Sequence, residues 1–323
     1  MTKTINLEAE YKSRDPHYKL LVEEVQFGIT TKLKDSAVSI AATEGRVKPM
    51  ESFLDKIERK AYKKPWDEID DIAGIRLVCL FSTELNAIED AIKSLFEVVS
   101  NEDKVESLGV EQMGYQGRHY VVTLGKNHSG PRYDNLQNLR AEIQVRTTLQ
   151  DAWARISHNL VYKSESSMPI HLRREIQNVS SLLEIAQNIF DRSESSRKQY
   201  IADVQQRTSN ANQLLSQPID RETLEAYTTW KFPKLPVEHR IQELLLRDLN
   251  QSKYTTLADI DKAVNAAKSA VASYKLENPD WFKAATDFIT KSLGFVDPEF
   301  RRSHPFGQRT LDAFKRYEQS VAK

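Results

Sequence analysis

Residues 71–81, DIAGIRLVCLF, set an acidic side chain directly before an almost unbroken apolar run. A run this short, rich in Ile, Leu and Val, reads as a central β-strand covered on both faces and not as a buried helix. Asp71 then stands at the mouth of the strand, where a carboxylate stays solvated and suits a hydrated Mg²⁺ that takes oxygen ligands. Taken alone, D-x-x-G-x-R is equally a turn entering a strand. The flanking segments decide between the two.

The chain has 323 residues, enough for two ordinary domains. Its 46 Lys+Arg balance its 46 Asp+Glu, so no global field recruits nucleic acid or membrane, and any basic site must be local. The single cysteine, Cys79, lies within the apolar strand, which rules out an internal disulfide and fits a cytoplasmic protein. Residues 1–15 have neither an apolar core nor a cleavage site, and nowhere do about 18 apolar residues run together, so neither export nor membrane insertion is expected.

Residues 7–43 show helical spacing (Leu20, Leu21, Val25, Ile29), read as two helices or one kinked near Gly28. A further helix is predicted between Pro49 and Pro65. Its two faces differ: Ser52, Lys56, Arg59 and Lys60 share one stripe, and Phe53, Leu54, Ile57 and Ala61 the other. Arg46 and Lys48 precede it on an extended segment. A basic stripe by itself is an ordinary solvated face. This one leads into the acidic strand, and five cations beside a carboxylate are what a polyphosphate and its Mg²⁺ require.

Residues 83–99 read as a helix that returns the chain to the sheet in a β-α-β connection. Residues 114–124, GYQGRHYVVTL, then enter a strand through a glycine-punctuated loop, with Tyr115 at its lip. The Tyr115 ring either stacks on a base or packs on the loop, and His119 is either a site residue or a satisfied strand histidine. In residues 140–148, RAEIQVRTT, alternation puts Glu142, Gln144 and Arg146 on one face and Ile143 and Val145 on the other. The helix over 149–163 carries Trp153, Ile156 and Leu160 at core spacing, with His158, Tyr162 and Lys163 either on the surface or bordering the same cleft.

Together these segments resemble the RelA/SpoT synthetase domain, the catalytic module of alarmone synthetases. The resemblance covers about residues 8–200 and rests on five motifs in the family's order: GRVKPMESFLDKIERK, DIAGIRLVC, GYQGRHYVV, AEIQVRT and DAWARISHNLVYK. It implies an α/β (α+β) fold of nucleotidyltransferase type, with a mixed sheet of about five strands flanked by helices. It also implies a reaction in which ATP gives its β,γ-pyrophosphoryl group to a nucleotide 3′-hydroxyl. By resemblance, Asp71 and Glu142 are the Mg²⁺-binding acids, and Glu142 also assists deprotonation of the attacking hydroxyl. Arg46, Lys48, Ser52, Lys56, Arg59 and Lys60 match the grip on the donor phosphates. Tyr115 matches the ring that stacks on the acceptor base, and His119, Gln144 and Arg146 match acceptor-side positions.

One loop departs from the family. Synthetases of guanosine tetraphosphate read K-x-N-G-Y-x-S-x-H there, where this chain has Glu111, Met113, Gly114, Tyr115, Gly117 and His119. Glu111 in the lysine position would repel a triphosphate. Two acceptors therefore stay open: GDP or GTP, giving an alarmone synthetase, and the tRNA 3′ end, giving a toxic relative that blocks translation. A third reading is an inactive nucleotide-binding regulator. No His-Asp metal cluster precedes the motifs, so synthesis without hydrolysis is expected.

Domains are expected at 1–200 (synthetase), 201–218 (helix end and linker) and 219–323 (a small all-helical domain), the last leaving room for an RNA, a neutralising partner or a homo-oligomer. Residues 170–215 read as one long helix, TTWKFPKLPVEH as a linker, and 237–249, 257–276 and 281–293 as helices capped by Thr256 and Asp280, before a last short helix. The aromatic residues Trp230, Phe232, Tyr254, Trp281 and Phe282 read as core.

Overall fold

Five strands form one mixed sheet in the order β1-β2-β5-β4-β3 in the computed structural model, which describes residues 2–103, 117–126, 128–160 and 169–321. The strands are β1 (Ile40–Val47), β2 (Ala73–Cys79), β3 (Glu97–Asp103), β4 (Arg118–Thr123) and β5 (Ala141–Thr147). Strand β2 runs parallel to β5, and the other neighbouring pairs are antiparallel. Strand β5 alternates without a break, burying Ala141, Ile143 and Val145 while Glu142, Gln144 and Arg146 keep partial access to solvent.

Helices α1 (Thr2–Leu33) and α4 (Leu85–Leu95) supply Leu21, Val25, Ile29, Ile88 and Ile92 to a core shared with Ile75, Leu77, Ile143 and Val145. Gly45 lets α1 lie against β1, because a Cβ there would come within 2.4 Å of a Val22 methyl. The opposite face of the sheet carries the charges. Helices α2 (Met50–Lys60), α3 (Pro65–Glu68) and α5 (Thr148–Leu160) complete this part of the chain.

Several expectations need correction. Helix α1 is a single helix ending at Leu33, and residues 40–43, the end of the predicted helical stretch, belong to strand β1 (Ile40–Val47) instead. The alanine pair Ala41-Ala42 suits a helix, but the backbone ladder to β2 claims the segment. Strand β2 is one in from the edge and β5 is central. Only the last three residues of β2 are buried on both faces, since Gly74 and Arg76 open onto the charged side. Trp153 is core, but Ile156 and Leu160 are 55% and 57% exposed.

The chain divides into two units, Met1–Glu194 and Ser195–Lys323, with the division inside helix α6 (Ile170–Arg207). The predicted 170–215 helix is interrupted after Arg207, and its remainder is α7 (Ala211–Leu215). In the first unit the apolar stripe of α6 is largely unburied: Leu172, Val179, Leu182, Ile185, Ile189 and Phe190 are exposed.

The second unit is helical, with α8 (Arg221–Lys231), α9 (His239–Asn250), α10 (Leu257–Ala266), α11 (Lys268–Glu277), α12 (Ala285–Val296), α13 (Pro298–Ser303) and α14 (Gln308–Arg316). Residues 228–231, read as linker, are the last turn of α8, whose start is capped by Asp220 accepting from the Thr223 N–H at 2.8 Å. The predicted 257–276 helix breaks at Ala267, and α12 begins four residues later than expected, closed by Asp287 accepting from the N–H groups of Lys283 and Ala284 in place of Asp280. Tyr254 and Phe282 are buried, and Trp230, Phe232 and Trp281 pack partly buried against the same clusters.

Candidate active site

Strand register gathers the charged residues. Arg46 of β1, Gly74 of β2 and Glu142 of β5 lie side by side, and the next row is Glu44, Arg76, Gln144 and His119. Partners in one row project from the same face. The result is a cleft of about 350 Å³ lined by Glu44, Gly45, Arg46, Asp71, Gly74, Ile75, Arg76, Glu142 and Gln144.

Asp71 is held between two ammonium groups, with Lys48 Nζ 3.0 Å from Oδ2 and Lys56 Nζ 3.0 Å from Oδ1. Lys48 is placed by its backbone: its N–H donates to the Ile72 carbonyl at 2.8 Å, and its own carbonyl accepts from the Tyr11 hydroxyl. Lys56 is placed by the amphipathic packing of α2, where Phe53 is fully buried against Trp66, with ring centroids 4.7 Å apart. Ser52, Arg59 and Lys60 are exposed residues of the same helix.

Glu142 receives two donors. His119 Nδ1 is 2.8 Å from Oε1, and Gln144 Nε2 donates to Oε2 at 2.8 Å. Two donors on an ionised carboxylate fix its orientation. His119 is buried and its Nε2 has no hydrogen-bond partner, and the same holds for Arg146 Nε. Burial pulls the Arg146 guanidinium below its usual pKa, and the neighbouring Arg76 adds to the effect. Buried polar atoms left unpaired are exceptional in folded proteins and mark places where a ligand or water completes the set.

Sequence reasoning missed the wall behind this row. Asp151 of α5 lies 3.4 Å from Arg76 Nε, 3.8 Å from Arg146 Nη1 and 2.7 Å from Arg155 Nε, while Glu44 pairs with Arg155 at 2.6 Å and Arg76 at 3.4 Å. The signal was present in β2, where Gly74 and Arg76 interrupt an apolar strand at period two. Tyr115, Glu111, Met113, Gly114, Tyr162 and Lys163 lie outside the described residues, as does the side chain of His158. Gly117 is described, and a Cβ there would fall 2.1 Å from the Val145 carbonyl oxygen and 2.5 Å from Arg146 Cγ. The family's serine would not fit this approach of β4 to β5 without movement.

A Mg²⁺ ion fits the donor set. Among the described residues no group of three or more His, Cys, Asp and Glu side chains is gathered to hold a metal, but Asp71 and Glu142 share one cleft. One or two carboxylates suit an ion that keeps waters and takes phosphate oxygens. Cys79 plays no chemical part: it is buried, and burial followed by the Glu84 carboxylate pushes its thiol up to about 12.

Residues 45–167 match the family model described as a region found in RelA / SpoT proteins. GTP pyrophosphokinase YjbM of Bacillus subtilis (strain 168) is 32% identical over 174 residues, spanning 50% of this chain and 78% of the relative. The chain belongs to the RelA/SpoT family. A second relative, GTP pyrophosphokinase YwaC of the same organism, is 28% identical over 149 residues, 44% of this chain and 68% of its own length. The solved structure of a GTP pyrophosphokinase family protein from Streptococcus pneumoniae, at 22% identity and TM-score 0.50, covers 59% of this chain and 96% of that one and shares the fold. The cleft residues from Gly45 to Gln144 fall within the matched region, and Glu44 lies one position before it. Among the described residues no helix is long and apolar enough to cross a membrane.

Proposed function

We propose that the chain is an ATP-dependent pyrophosphokinase that transfers the β,γ-pyrophosphoryl group of ATP to the 3′-hydroxyl of GDP or GTP, making guanosine penta- or tetraphosphate. The observation that carries this reading is the single cleft shared by Asp71, Glu142, Arg46 and Gln144, with Lys48 and Lys56 on Asp71. The curated relatives named as GTP pyrophosphokinases support it. In the reaction the acceptor 3′-oxygen bonds to the β-phosphorus, the bond from that phosphorus to the α,β-bridging oxygen breaks, and AMP leaves. Glu142, held by His119 and Gln144, takes the hydroxyl proton. Arg46, Lys48, Lys56, Arg59 and Lys60, with Ser52, hold the donor phosphates, and Tyr115, His119, Gln144 and Arg146 serve the acceptor. Bound at Asp71 and Glu142, Mg²⁺ would supply charge neutralisation on the transferring phosphates. Such transfer needs positioning and electrostatics more than covalent help from the protein.

The tRNA 3′ end is the second acceptor, favoured by Glu111, Met113 and Gly117 in the acceptor loop and by the helical unit. The exposed apolar face of α6 supports a homo-oligomer or a neutralising protein as a further partner. Incubation with γ-labelled ATP and, separately, GDP, GTP and deacylated tRNA tests both. Label on a guanine nucleotide is expected. Label on tRNA alone would replace the first acceptor by the second, and label on none of them would overturn the pyrophosphokinase reading. Glu111→Lys with Met113→Asn should raise guanine-nucleotide turnover, and leave transfer to tRNA flat or lower.

A further inference from the structure

Asp71 has both oxygens engaged. The two ammonium groups that hold it belong to the residues assigned above to the donor's phosphates, and each stands 3.0 Å from a different oxygen. The group is largely shielded from water: the Lys48, Lys56 and Asp71 side chains are 13%, 23% and 23% exposed. Two positive charges around one negative charge leave this corner of the cleft with a net charge of +1, counted on these three side chains.

A divalent cation approaching Asp71 alone would bind at about 2.1 Å from an oxygen already shared with an ammonium. It would meet repulsion from both lysines. Both lysines start from backbones fixed beside Asp71. The Lys48 backbone is pinned by Ile72 and Tyr11, and Lys56 rides on a helix anchored through Phe53.

A polyphosphate reverses the balance. Its oxygens offer both ammonium groups better partners than one carboxylate, because several negative charges replace one. Lysines drawn onto the phosphates release the Asp71 oxygens. We propose that Lys48 and Lys56 keep the metal carboxylate closed in the nucleotide-free protein, so that the divalent ion enters together with the donor polyphosphate and not before it. This rests on the pyrophosphokinase reading of the cleft and adds an order of events to it. By linkage, whatever factor the donor contributes to metal affinity, the metal returns to donor affinity.

The lock is tested by binding, without turnover. Mn²⁺ alone, titrated into the nucleotide-free full chain and followed by electron paramagnetic resonance, should bind at least tenfold more tightly to Lys56→Met than to wild type. The gain should vanish in Lys56→Met with Asp71→Asn. In EDTA, Asp71→Asn should bind metal-free ATP severalfold more tightly than wild type, since the two ammonium groups lose their competing carboxylate, although the same change abolishes transfer. Equal Mn²⁺ affinity in wild type and Lys56→Met, or weaker metal-free ATP binding by Asp71→Asn, would overturn the lock. Failure of the enzymatic reading looks different: no acceptor would be labelled while these binding shifts persisted.

Discussion

The sheet unit and the helical unit use polar side chains in opposite ways. Around the charged face of the sheet, His119 Nε2 and Arg146 Nε are buried without hydrogen-bond partners, and Arg76 Nε and Asp151 Oδ1, also buried without a hydrogen bond, meet as an ion pair at 3.4 Å. Among the described residues of the helical unit only Thr286 Oγ1 is so placed. In the helical unit, acids close helix starts and cross-link the core: Asp220, Asp287 and Asp297 accept from helix N-terminal N–H groups. The buried Asp261 accepts from the Tyr227 hydroxyl at 3.0 Å and pairs with Lys231 at 2.7 Å. Satisfied polar groups make a fold rigid, whereas unpaired ones are tolerated where a ligand completes them. The difference sets unpaired buried polar atoms at the sheet's cleft against an almost fully satisfied polar network in the described helical unit.

The largest expected effect tests the sheet side of that contrast. Asp71→Asn and Glu142→Gln should each lower transfer by roughly two orders of magnitude or more, with the protein still folded because side-chain volume is preserved. Transfer above a tenth of wild type at saturating Mg²⁺ would remove these residues from the metal site. The helical side breaks differently. Phe300→Ala, at a position 1% exposed, should destabilise its unit by about 3–5 kcal/mol through cavity formation, read by chemical denaturation. Its transfer rate to guanine nucleotide, measured below the unfolding transition, should stay within about twofold of wild type.

Lys56→Ala gives a smaller change. Loss of one charge-assisted bond to phosphate should weaken ATP by about 1.5–3 kcal/mol, seen as a raised KM for ATP with the acceptor KM little altered. Equal losses for both substrates would put Lys56 elsewhere.

The smallest effect concerns pH. The backbone N–H groups of Thr256, then Thr255, donate to Asp259 at the start of α10 and hold its carboxyl below the usual carboxylate range. A depressed folded-state pKa stabilises the fold above the unfolded value, and that contribution disappears as pH falls through the folded one. Asp259→Asn should therefore cost a little stability at pH 7 and flatten the acid limb below about pH 4. An unaltered acid limb in thermal melts would show that this cap carries no linkage.

Much of the candidate site's geometry was readable because it is written locally. A seven-residue strand such as AEIQVRT declares its two faces by alternation, and Glu142, Gln144 and Arg146 do share the open one. Asp71 before an apolar run, and Lys56 opposite Phe53 on α2, follow in the same way from period two and period 3.6. The misreadings arose where local pattern was ambiguous. Residues 40–47 carry too few apolar side chains to announce a strand, and only the ladder to β2 makes them one. The apolar stripes of α5 and α6 have core spacing but stay largely exposed, since spacing says nothing about what lies opposite.

The sequence by itself determined the elements, the motif order, and the faces that carry acid and base, because those depend on neighbours within a few residues. Tertiary structure decided which elements became partners. Parallel pairing of β2 with β5 sets Gly74 beside Glu142, 68 positions along the chain (142 − 74), and brings Asp151 of α5 against the β2 arginine. It also set the ammonium groups of Lys48 and Lys56 against the Asp71 carboxylate. Strand order, register and ion pairing are contacts between distant segments, fixed by shared burial and by the partners that the fold brings within reach.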